Sequence, residues 1–170
     1  MPSRQRRGTA LPRRGPGPAS GIEAILRGYV ERGVFRSRST GERRAGRVLF
    51  TIVWHHGRQF RFVVDPRIRV VSFAELLPGM TGHPAMLTEL RTFLRQFEST
   101  TVPAHRRIDP AKGRLRITSR PSGVTVGLTV KGRQWEYCTR KLVHLAQEVY
   151  LRLLRVADPV RYPAFFELGG

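Results

Sequence analysis

The clearest chemical pattern in this chain is carried by arginines. Residues 114 to 120 read Arg-Leu-Arg-Ile-Thr-Ser-Arg. Alternate side chains of a strand point to opposite sides, so Arg114, Arg116, Thr118 and Arg120 share one side while Leu115 and Ile117 take the other. A guanidinium presents five donors in a planar fork that suits phosphate and carboxylate. If helices cover the apolar side, the open side is a cationic sheet surface, expected to gather Arg61, Arg69 and Lys131 from other strands. Such a surface neutralises phosphates, releases counterions and binds in a salt-dependent way. The bland alternative is a solvated polar side of the kind any antiparallel sheet needs. No row of exposed aromatics accompanies the arginines, so recognition by shape or charge is expected rather than base stacking.

Other residue types yield less chemistry. His55 and His56 are adjacent, which on a strand points them apart and makes a poor metal pair. His83, His105 and His144 are scattered and read as ordinary surface or satisfied histidines. Cys138 falls on an apolar helical stripe between Trp135 and Leu142, where a thiol packs rather than reacts. Asp65, Asp109 and Asp158 each precede a proline, a repetition that turn chemistry explains. The chain has no GxSxG elbow, no GxxxxGK[ST] phosphate loop and no GxGxxG in a strand-to-helix context. No catalytic, metal or cofactor-binding residue is assigned.

Charge bounds the partners. The 170 residues hold 31 Lys plus Arg against 12 Asp plus Glu, a formal net charge of +19. Residues 1–47 contribute a net +9 and residues 48–170 a net +10, so the folded part is basic too. Only Lys112, Lys131 and Lys141 are lysines. Polyanions, nucleic acid or an acidic protein, are natural partners, although an arginine bias can equally follow from genome composition. A lone cysteine excludes an internal disulfide and points to a reducing compartment, and a cytoplasmic protein is expected. The longest apolar run, Val48 to Trp54, is far short of the ~20 residues of a membrane span.

The elements that must position these groups follow from periodicity. Residues 1–18, with five arginines, four prolines and three glycines, read as a disordered arm; residues 19–158 read as one α+β domain and 159–170 as a tail. Ser20 caps a helix to Val34, and residues 35–46 form a polar loop. Strands follow from Arg47, from Gln59 to Val64 around a His56-Gly57-Arg58 turn, and from Ile68 to Phe73. A helical turn at Ala74–Leu77 and a helix from Pro84 come next. The second half offers a strand at His105–Ile108, strands at Arg114–Arg120 and Val124–Lys131, and a helix from Arg133 to Val156. That last helix carries the i,i+4 pairs Glu136–Arg140 and Glu148–Arg152. Tyr162, Phe165 and Phe166 either fold back on the core or dock a partner. The expected architecture is an antiparallel meander sheet with helices on one face, in the order α-βββ-α-βββ-α.

This order resembles the α-βββ-α-ββ-α of type III secretion chaperones and the YbjN-like bacterial fold, with one strand more in the second half. The resemblance covers residues 20–156 and implies a small homodimeric module that binds other polypeptides. Phe73-Ala74-Glu75-Leu76-Leu77-Pro78 and His105-Arg106-Arg107-Ile108-Asp109-Pro110 look like segments of uncharacterised bacterial proteins of similar length. Two binding readings stand side by side: a non-enzymatic module engaging nucleic acid or another polyanion through the arginine face, and a homodimeric chaperone-like module. An enzyme would require a concave pocket that collects His105, His144, Asp109 or Cys138.

Overall fold

The computed structural model describes residues 17–153. The arm up to residue 16, the end of the expected last helix and the tail with Tyr162, Phe165 and Phe166 lie outside them. The first helix, α1 (Pro18–Glu31), begins two residues before Ser20, with Pro18 in the first turn where its missing N–H costs nothing. The Ser20 hydroxyl donates to the Gly17 carbonyl at 3.2 Å and does not cap the helix.

Seven strands follow the sheet's needs more than local alternation. They are β1 (Ser37–Arg38), β2 (Glu42–Arg44), β3 (Arg47–Trp54), β4 (Arg58–Asp65), β5 (Val70–Pro78), β6 (Gly113–Arg120) and β7 (Gly123–Val130), with α2 (Pro84–Arg95) and α3 (Trp135–Glu148) completing the fold. All pairings are antiparallel and the main path runs β1-β3-β4-β5-β7-β6, with β2 also paired to β3. The fold is α+β, an antiparallel meander sheet with helices on one side.

Four local expectations are corrected. Residues 35–46 are not simply a loop, because Ser37–Arg38 and Glu42–Arg44 pair with β3; their backbone closes the sheet edge while the β2 side chains stay exposed. Ala74–Leu77 is strand, not a helical turn. β5 passes a bulge between Phe73 and Leu77 where Glu75 takes a positive φ of 50°, which turns both Leu76 and Leu77 into the core. His105–Ile108 is a set of turns: the Pro103 carbonyl accepts from the N–H of Arg106 at 2.9 Å and Arg107 at 3.1 Å. The segment has one buried anchor, Ile108, too little to hold a strand. The third strand starts at Val70 instead of Ile68, since Arg69 has a φ of 57° and breaks the ladder. Without the two short strands, the order is α-βββ-α-ββ-α.

The core lies between the sheet and the helices. One cross-strand row runs Phe50, Phe62, Phe73, Val126 and Ile117, and the next runs Val48, Val64, Val71, Leu128 and Leu115. Phe62 and Phe73 meet edge to face at 5.2 Å. α3 packs on β5 and β7 and against α1, and α2 lies against β6. Cys138, Leu142, Leu145 and Val149 fill the expected stripe of α3 and its π-helical continuation, Val149–Leu153. No helix of the described residues is long and apolar enough to cross a membrane.

Candidate polyanion-binding face

The residues between those of the core rows build the open side of the sheet. One row runs Leu49, Val63, Ser72, Gly127 and Arg116, and the neighbouring row runs Asp65, Val70, Thr129 and Arg114. This side holds a groove of about 360 Å³, lined on β3 and β4 by Arg47 and Arg61 and on β6 by Arg116, Thr118 and Arg120. Its floor is partly apolar, with Leu49, Val63 and Val70, and Ile68 stands 53% exposed beside them.

The cations of this face are not equivalent. The Asp65 carboxylate, side chain 7% exposed, accepts the Arg67 backbone N–H at 3.1 Å and pairs with Arg47 at 3.1 Å and Arg67 at 3.5 Å. Arg61 pairs with Glu75 at 3.1 Å, a contact the bulge of β5 makes possible. Arg114, Arg116 and Arg120 are exposed on β6, the last strand of the sheet, and none makes an ion pair among the described residues. One backbone donor of β6 is already taken, the Leu115 N–H, which the Glu98 carboxylate accepts at 2.9 Å.

Four of the six expected cations, Arg61, Arg114, Arg116 and Arg120, share the open side, and three of these, Arg61, Arg116 and Arg120, line the groove, while Arg114 lies past its end opposite Thr129. Arg69 and Lys131 do not line the groove. The Arg69 guanidinium donates to the Val130 carbonyl at 3.2 Å and to the Gly132 carbonyl and lies over the Trp135 ring at 5.6 Å. The Lys131 ammonium donates to the Pro110 carbonyl. Both sit just beyond strand ends, where the two-residue period no longer governs direction. Continued along their strands, alternation from Arg61 reaches Asp65 and from Leu49 reaches Arg47, whereas Glu75 could not be found this way, because its place depends on the bulge of β5.

The histidines fall elsewhere. His55 and His56 occupy the β3–β4 turn with Gly57, at φ of 31° and 59°, instead of opposite faces of a strand. Among the described residues no group of three or more His, Cys, Asp or Glu is arranged to hold a metal ion. Cys138 is buried, its thiol pushed up to about 11 by burial, and it donates to the Lys112 carbonyl at 3.4 Å. His105 and His144 do line one cleft on the helical layer. No protein-family model, curated protein or solved structure matches the chain.

Proposed function

We propose that this protein is a non-enzymatic binding module that engages nucleic acid or another polyanion through the open face of its sheet. The observation that carries the reading is the trio Arg114, Arg116 and Arg120, three exposed guanidiniums in register on a sheet-end strand with no carboxylate partner among the described residues. Cations already paired must give up a partner before they meet a phosphate; these three need not. Arg47 and Arg61, held by Asp65 and Glu75, define the far wall. The concavity favours a backbone laid across the strands, and the lack of stacking rings favours charge and shape over sequence.

Fluorescence polarisation with mixed-sequence RNA and DNA at two salt concentrations tests it. The wild type binds at low salt, and Arg114→Gln/Arg116→Gln/Arg120→Gln lowers the slope of log K against log salt by up to about 3 for duplex DNA, roughly one for each phosphate that is no longer neutralised. No binding at low salt, or an unchanged slope in the triple variant, removes the reading.

A second reading, the homodimeric chaperone-like module, is supported by the order α-βββ-α-ββ-α that the long elements follow and by the apolar floor around Ile68. A dimer mass by light scattering, with nucleic-acid affinity absent, favours it over the first.

A further inference from the structure

A cleft in the helical layer lies away from the arginine face. It measures about 580 Å³, within the range of small-molecule sites, and lies between the exposed side of α3 and the turns at 103–108. Ile108 pins those turns to the core through an N–H bond to the Phe97 carbonyl at 2.7 Å, so this wall is anchored. The lining includes four permanently or normally charged cations, Arg106, Arg133, Arg140 and Lys141, against one carboxylate, Glu136.

The local ion pairs leave most of that charge unmatched. Glu136 reaches Arg140 only at 4.0 Å, and both side chains are about 60% exposed, a pair that contributes little. Glu148, side chain 12% exposed, is already committed to Arg106 at 3.5 Å, His144 at 3.6 Å and Arg152 at 2.8 Å. Arg133 has no ion-pair partner among the described residues. Lys141 donates to the His105 carbonyl at 3.2 Å. Its ammonium stands 5.5 Å from the Tyr137 ring centre, and that of Lys112 stands 4.7 Å from the same ring. Neither lysine has a carboxylate in ion-pair range among the described residues. Burial and the neighbouring Lys112 both press the Lys141 ammonium toward losing its proton. An anion in the cleft offsets the unmatched positive charge around Lys141. The N-terminal end of α3, at Gln134 and Trp135, adds positive potential at the same mouth.

From this geometry we infer that the cleft between α3 and the 103–108 turns binds a small phosphate monoester, with Arg133, Arg140 and Lys141 holding the phosphate. A dianion matches three cations that line one cleft better than a monovalent carboxylate does, and arginine forks grip phosphate oxygens in pairs. The volume exceeds that of a bare phosphate and leaves room for an attached organic body beside Gln134 and Tyr137. The inference is independent of the polyanion reading, since the two sites share no residue.

Titration of the isotope-labelled full-length chain with phenyl phosphate, inorganic phosphate and benzoate, followed by amide chemical shifts, tests it. Phenyl phosphate is expected to bind with Kd at or below about 1 mM in low salt. It should shift the amides of 133–144 and 105–106, and bind more tightly than inorganic phosphate or benzoate. Lys141→Gln and Arg140→Gln, whose folding the same spectra report, should each weaken it about tenfold. The sheet-face triple variant should bind it as the wild type does. Shifts confined to the sheet face, benzoate bound as tightly, unchanged affinity in both cleft variants, or binding of an oligonucleotide but not of phenyl phosphate would each overturn the inference.

Discussion

The ring of His55 is stacked between Trp54, at a centroid distance of 4.0 Å, and Tyr150, at 4.5 Å, and its buried Nε2 has no hydrogen-bond partner among the described residues. Burial, reinforced by the charges of His56 and Arg58, lowers its pKa from 6.5 to about 4. The native state therefore keeps the ring neutral while the unfolded chain takes up a proton below about 6.5. Stability is lost as pH falls from about 6.5 towards about 4, because the unfolded state binds more protons there. His55→Phe retains the stack and removes the proton; its melting temperature should fall less than the wild type's between pH 7 and pH 4.5. Equal falls would show that the ring does not titrate as described. His144, also depressed chiefly by burial, is present in both proteins and cancels from the comparison. None of this was legible from two adjacent histidines, whose environment comes from Tyr150, 95 positions along the chain from His55. The burial of Cys138 was legible, since a helical stripe specifies which face is covered whatever covers it.

At the scale of elements, alternation located β3, β4, β6 and β7 because one side of each carries the large apolar side chains that face the core. It failed where pairing, not patterning, decides. Glu75 belongs to a strand because the Thr125 hydroxyl accepts its N–H at 3.1 Å and the chain bulges around it. Ser37–Arg38 is a strand because β3 offers an unpaired edge. Gly127 marks how closely β5 and β7 approach: an added Cβ would stand 2.6 Å from the Val71 carbonyl oxygen and 2.9 Å from Ser72 Cβ. Gly127→Ala must push two backbones apart on the floor of the groove and should cost about 2 kcal/mol. Chemical denaturation measures it, and an unchanged midpoint would mean that the strands are not so tightly apposed.

Across the whole molecule, a net charge of +19 draws any polyanion, so face-specific binding must be separated from bulk charge. The control is a second triple variant of equal charge change, Arg27→Gln/Arg43→Gln/Arg95→Gln, at exposed positions outside both sites. In the same polarisation assay it should retain most of the wild-type affinity that the Arg114/Arg116/Arg120 variant loses. Equal losses would assign the binding to net charge alone. What the sequence by itself determined was the fold class, the position of most elements and the side of β6 on which its arginines lie, because periodicity is a local property of consecutive residues. Only the tertiary structure decided which cations are left unpaired, which carboxylates neutralise their neighbours, and that His105, Arg133 and His144 meet in one cleft. Those outcomes depend on strand register, a bulge and loop anchoring, which arise from contacts between residues far apart in the chain.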